Sequence, residues 1–241
     1  GDKVASVLRK IPETSLGLAA RSASEGDSDG VISAGHSGAS VLVASKYLKR
    51  KGVRKPVLGT FMPTSDNPVF LLDVGANVDT KAEDLLMFAQ LGSEFYSFWS
   101  GKKSPTVGLL NIGSEKGKGD RESAKAYELM EMNASAGEFN FVGNIEGRQV
   151  GGQGEEINVV VCDGFVGNVI LKFAEGMAIS LMTMFGSELK KSAKNNIFMP
   201  LAKSAIKGSL KNVKKRLDYS EYGGAPLLGL TKPFFICHGS S

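Results

Sequence analysis

Histidine and cysteine are nearly missing from this chain, with two of each among 241 residues. His36 and His238 each sit in a Gly/Ser loop, and neither has a carboxylate at ligand spacing, which excludes a histidine-rich metal site. No metal is expected. Cys162 and Cys237 lie in apolar runs, which predicts buried thiols in a reducing cytoplasm rather than a disulfide. No apolar stretch approaches the length of a membrane span, and the first residues carry no signal-peptide pattern. Neither the six-residue glycine fingerprint of dinucleotide folds nor the phosphate loop ending in Gly-Lys-Ser/Thr occurs, so NAD and ATP are poor candidates and no cofactor is expected. The net charge of +4 is modest and gives no reason to expect nucleic acid. Glycine, in contrast, is abundant at 30 residues, but it marks strand ends rather than repeats, which excludes collagen-like and low-complexity chains.

What is present is alternation. A helical pattern over Val4 to Gly26, broken near Pro12, precedes a short strand at Gly30 to Ala34 and a helix through Lys51. Strands follow at Val57 to Phe61 and Val69 to Val74, then an apolar stripe at helical spacing over Leu85, Leu86, Phe88, Ala89 and Leu91. Further strands are predicted at Thr106 to Ile112, Phe139 to Val142 and Ile157 to Cys162, with helices from Arg121 to about Met132 and from the Asp163 loop towards Phe185. Strands alternating with helices at this spacing predict βα units around a mainly parallel sheet, a single α/β domain over residues 1–241. Both ends read as cut, so a fragment of a longer chain is expected.

After Gly186 the composition shifts. One acid, Glu188, stands against nine Lys or Arg residues through Arg216, with an apolar tip at Ile197, Phe198, Met199 and Leu201 around Pro200. The pattern predicts a basic helical hairpin over residues 187–217. Lys194, Lys203 and Lys207 flank the tip. Such a surface suits an acidic protein partner, or an anionic membrane into which the tip inserts.

Several strand ends share one grammar: "SAGHSGAS", "LDVGANVD", "LNIGSEKGKG", "VGNIEG" and "CDGFVGN". Glycine, Asn and Asp suit any βα turn. Five such loops at the carboxyl ends of parallel strands nevertheless predict one shared rim, where α/β folds bind ligands and helix starts favour phosphate. "GHSGA" also echoes imperfectly the nucleophile elbow of hydrolases, with Ser37, Asp163 and His238 in the required order, although Ala39 stands where a glycine is needed.

The segments "DGVISAGHSGA", "LLDVGANVD", "VGLLNIGSEKGKG", "NFVGNIEG", "VVVCDGFVGNVILK" and "YGGAPLLGL" followed by "HGSS" resemble, in order and over nearly the whole chain, the phosphate acyltransferase (PlsX) family of bacterial phospholipid synthesis. The resemblance implies a three-layer α/β/α fold related to phosphate acetyltransferases and the isocitrate/isopropylmalate dehydrogenases, usually as a homodimer. It implies conversion of long-chain acyl-[acyl carrier protein] and inorganic phosphate to acyl phosphate and free carrier protein, on the way to phosphatidic acid. The family's Asp-Ala-Met-Gly-Gly-Asp segment would precede Gly1 and its C-terminal helix would follow Ser241. His36 and Ser37 stand where the family usually has Asn and Thr.

Carried onto this sequence, the motifs imply substrate contacts at Gly35, Ser37 and Gly38, at Asp73, Gly75 and Ala76, and at Asn111 and Gly113. They add Asn144 and Glu146, then Asp163, Gly164 and Gly167, and Gly224. Phosphate is already an anionic nucleophile and a thiolate a tolerable leaving group, so the protein must chiefly position the two and stabilise the oxyanion. The expected donors are the backbone N–H groups of Gly38, Gly75 and Gly167 and the amides of Asn77 and Asn168. Lys172 is expected to offset phosphate charge, and His36 or His238 to protonate the sulfur. Asp73 and Asp163 are expected to orient their loops. A remnant that binds phosphate or carrier protein without catalysis and a Ser37 hydrolase are the alternatives.

Overall fold

The computed structural model describes residues 10–64, 67–195, 208 and 224–237. Among them eight strands form one sheet: β1 Val31–Ser33, β2 Val57–Met62, β3 Val69–Leu72, β4 Thr106–Leu110, β5 Asn140–Ile145, β6 Val159–Val161, β7 Ala225–Leu228 and β8 Phe234–Ile236. Their order is β1-β8-β7-β2-β3-β6-β4-β5. β2, β3 and β6 are buried at every position, which is why they read as unbroken apolar runs and not as alternating ones.

Two cores lie on the two faces of the sheet, and the strand period of two sorts residues between them. Leu58, Met62, Val69, Leu71 and Val160 point into one core with α1 (Ser15–Glu25) and α2 (Ser37–Tyr47). Val57, Phe61, Phe70, Leu72 and Val159 point into the other with α3 (Ala82–Ser100) and α4 (Arg121–Ser135). The result is a three-layer α/β/α domain. A buried carboxylate, Asp84, ties α3 to the turn before β2 through Arg54 Nε at 2.9 Å and Lys55 Nζ at 3.3 Å.

Two features depart from the pattern-based expectation. Four of the seven pairings are parallel, but β2 is antiparallel to both β3 and β7, and β7 to β8. Following the pairings across the sheet, β3, β4, β5, β6 and β7 run one way, and β1, β2 and β8 the other. The loops after β3, β4, β5 and β6 therefore leave one edge, and the loop after β1 does not share it by strand direction. β1 and β3 are four neighbours apart, and twist of about 20–25° per step brings their directions near a right angle.

The second departure is a helix. After the short α5 (Gly147–Val150) the chain forms α6 over Gly164–Asn195, well past Phe185. Contrary to the sequence reading, Gly164–Leu189 is long and apolar enough, by length and composition, to cross a membrane, and its most apolar window is exposed. Lys172 and Glu175 interrupt the run, but they lie one turn apart and pair at 2.9 Å. From residue 196 the basic hairpin expected over 187–217 lies outside the described residues, apart from Gly208; through Asn195 the chain simply continues α6. Ile197, Phe198, Met199, Leu201, Lys203 and Lys207, the side chain of Lys194, and His238 lie outside them too.

Candidate active site

Two clefts flank the first turns of α6. The smaller, about 440 Å³, gathers Ser37 from the start of α2, Gly75 from the loop after β3, Asn168 and Lys172 from α6, and Gly224 before β7. Thr60, Glu175 and Cys237 also line it. The larger, about 870 Å³, takes Asn111 and Asp163 from the expected set, with Lys81, Asp120 and Glu122. At about 100° per residue, Phe165, Val166 and Ile170 face the larger cleft and Asn168, Leu171, Lys172 and Glu175 the smaller. Their mean directions are roughly 150° apart around the helix.

The start of α6 is fixed by close approach. A Cβ on Gly167 would overlap the Asp73 carbonyl oxygen and crowd Cys162 Sγ, and one on Gly164 would strike the Asn77 backbone. Only glycine lets the helix sit this near the loop after β3. Gly164 N–H donates to Asn77 O at 2.8 Å, and the Asp163 carboxylate accepts from Phe165 and Val166 N–H, both at 2.9 Å. Burial pushes the Cys162 thiol well above its ordinary pKa, which leaves it an inert packing group.

Asp73 is fully buried and organises the loop that meets α6. Its carboxylate accepts from the N–H groups of Gly75 (3.0 Å), Ala76 (2.9 Å) and Asn77 (2.8 Å), and from Asn77 Nδ2 at 2.7 Å. Burial raises its pKa, against the pull of those donors. Asn77 Nδ2 also donates to Pro56 O at 2.8 Å.

These bonds correct the list of donors. Gly75 N–H and the Asn77 amide serve Asp73, Gly167 N–H donates to Asp163 O, and Gly38 N–H donates to His36 Nδ1 at 3.2 Å. Four of the five groups expected to hold phosphate thus serve the protein's own loops. The fifth, the Asn168 amide, makes no hydrogen bond among the described residues and lies in the smaller cleft beside Gly75, which has φ +126°. Lys172 stands beside it, paired with Glu175 and 60% exposed.

The remaining expected residues do similar structural work. Gly35 N–H donates to Ser33 Oγ at 3.2 Å. Asn111 Nδ2 donates to Lys118 O and to Asn144 Oδ1, Asn144 Nδ2 donates to Glu115 O, and Gly113 lies close to the Glu115 side chain. Glu146 forms a capping box with Gln149 at the start of α5. The loop after β4 is therefore tied to the end of strand β5. The hydrolase arrangement is not assembled: Ser37 lines the smaller cleft, Asp163 the larger, and Asp163 is spent on capping α6.

Electrostatics separate the clefts. Among the described residues, four carboxylates, Asp79, Asp120, Glu122 and Asp163, line the larger one against a single ammonium, Lys81. Three of them cover helix starts: Asp120 accepts from Ser123 N–H, Glu122 from Ala82 N–H, and Asp163 caps α6. Little there attracts an anion. The smaller cleft has Lys172 beside Glu175, the Asn168 amide and the start of α2, whose dipole favours negative charge. Among its lining residues, Thr60 and Glu175 escaped the sequence reading. Thr60 sits inside an apolar strand, and the 172/175 spacing reads as an ordinary surface ion pair.

A family model described as "Fatty acid synthesis protein" matches residues 1–241. A phosphate acyltransferase of Lawsonia intracellularis (strain PHE/MN1-00) is 44% identical over 241 residues, covering 100% of this chain and 67% of its own. One from Moorella thermoacetica (strain ATCC 39073 / JCM 9320) is 43% identical over 235 residues, covering 97% and 66%. The chain thus spans about two thirds of the length of these curated relatives. Among solved structures, the EutD phosphotransacetylase from Staphylococcus aureus superposes with TM-score 0.57 at 16% identity, over 100% of this chain and 72% of that one. A phosphotransacetylase from Streptococcus pyogenes gives 0.58 at 17%, over 93% and 61%. At such identities these two speak for the fold alone.

Proposed function

This chain belongs to the family of the phosphate acyltransferases, and we propose that its smaller cleft transfers a long-chain acyl group from acyl carrier protein to orthophosphate. The observation that carries the reading is the meeting, in about 440 Å³, of Ser37, Gly75, Asn168, Lys172 and Gly224 from four separate segments. In this reading the Asn168 amide and the Lys172 ammonium hold phosphate near the start of α2. A phosphate oxygen attacks the thioester carbonyl, the C–O bond forms as the C–S bond breaks, and the carrier-protein thiolate leaves and takes up a proton. The Asn168 amide lines the cleft already and makes no hydrogen bond among the described residues, so it needs little reorganisation at that moment, the usual source of acyl-transfer catalysis. With Nδ1 accepting from Gly38, His36 can offer an Nε2–H as a hydrogen-bond donor to the departing sulfur, whose proton then comes from solvent. The product is the acyl phosphate that phosphatidic acid synthesis consumes.

Release of carrier-protein thiol from palmitoyl-[acyl carrier protein], with and without orthophosphate, tests this. A transferase releases thiol only with phosphate. Release in its absence would support the hydrolase, and no release in either condition a non-catalytic remnant. The exposed apolar residues of α6, Phe173, Ile179, Met184 and Phe185 among them, support a homodimer that touches the membrane peripherally. Flotation with anionic vesicles should weaken for Ile179→Asp; equal flotation removes the membrane contact.

A further inference from the structure

We propose that the larger cleft is the channel for the hydrocarbon tail of the acyl substrate, an inference that rests on the acyl-transfer reading of the smaller one. Leu109, Leu110 and Ile170 line it, and Ile112, Phe165 and Val166 line it while still exposed, Ile112 by 84% and Phe165 by 62%. Large apolar side chains left open around one concavity of about 870 Å³ mark a surface made to be covered by something apolar.

Charge decides what covers it. Three carboxylates already cover the helix starts that would attract an anion, and four in all line the cleft against one ammonium among the described residues. Phosphate and the acidic carrier protein are both repelled. A neutral alkyl chain carries nothing to repel, and it gains from every methylene withdrawn from water.

Position gives the path. The two clefts sit on opposite sides of the first turns of α6, so a thioester whose carbonyl lies beside Asn168 reaches the larger cleft by passing the helix start near Phe165 and Val166. The helix is about 10 Å across, a distance that a long chain spans and a short one does not. The tail then lies on the acid-lined side, away from Lys172. Preference for long chains follows from this geometry, with kcat/KM rising about fourfold per added methylene until the cleft is full.

The test uses a palmitoyl-pantetheine thioester bearing a diazirine at the far end of its chain, with phosphate-dependent thiol release followed in the same samples. The expected label falls on peptides containing Leu109–Ile112 or Phe165–Ile170 and is competed by unmodified palmitoyl thioester. Label confined to the smaller cleft, scattered label or none overturns the proposal. Val166→Trp and, at a more exposed site, Ile112→Trp should each lower the ratio of palmitoyl to octanoyl kcat/KM more than tenfold. An unchanged ratio in both also overturns it. Correct labelling without phosphate-dependent release keeps the tail site and removes the transferase reading; release with label elsewhere does the reverse.

Discussion

Lys172 and Asp73 show how two charged residues of one site divide the work. The Lys172–Glu175 pair is solvent-accessible, and such pairs contribute about 0.2–1 kcal/mol. If Lys172 holds phosphate, Glu175 competes with the substrate. Glu175→Gln should then lower the phosphate KM about 1.4- to fivefold, the equivalent of that pair energy. Lys172→Met should raise the same KM at least about tenfold, since a charge-assisted hydrogen bond is lost. Steady-state kinetics in phosphate settle both, and two unchanged values would return Lys172 to the role of a solvated helix lysine. Asp73 acts through pH. Its carboxyl is raised in the folded chain, so its contribution to stability is fully present below about pH 3.9 and is lost as pH rises through the native value. Compared with Asp73→Asn by urea denaturation from about pH 4 to 7, the native chain should lose relative stability with rising pH. A difference that is flat or grows with pH contradicts this. The loop-orienting role of Asp73 and Asp163 was legible in the sequence, because a short carboxylate before a Gly/Asn turn has nearby N–H groups to accept. Which donors remained for substrate was not legible, because that depends on which of them the loops use first.

At the scale of elements, α6 offers an internal comparison. Gly167→Ala drives a methyl into the Asp73 carbonyl and should cost about 1–3 kcal/mol, more if the helix cannot shift. It should also separate Asn168 from the loop at Gly75 and depress activity. Gly176, on the same helix, has nothing within 4 Å of an added Cβ, so Gly176→Ala should stabilise by up to about 1 kcal/mol from helix propensity. Equal effects at the two sites, measured by urea denaturation, would mean that α6 does not approach the loop as described. Most elements were readable from period: the buried strands β2, β3 and β6 as continuous apolar runs, α3 as a stripe. β7 and β8 were not, since four and three residues lying among Gly, Pro and Thr carry too short a pattern. The length of α6 escaped for a different reason: the basic composition after Gly186 read as a separate hairpin, although the helix continues to Asn195.

For the whole molecule, binding and stability are coupled. If the smaller cleft holds orthophosphate, phosphate at 100 times its Kd should stabilise the chain by about 2.7 kcal/mol, a rise of roughly 5–10 °C in Tm once divided among a chain of this size. Asn168→Asp, which turns the free amide towards the anion into a carboxylate, should abolish the rise. A Tm insensitive to phosphate in the native chain would deny the cleft its ligand. Composition and local pattern determined the class of fold, the family and the loops that build the site, because period, turn chemistry and motif order are properties of neighbouring residues. The reversal of β1, the separation of the expected residues into two clefts on either side of α6, and the commitment of four donors to the protein's own loops were decided only by tertiary structure. Each depends on strand pairing and helix docking between segments up to two hundred residues apart, and no local stretch of sequence records which partner a strand edge or an N–H group will find.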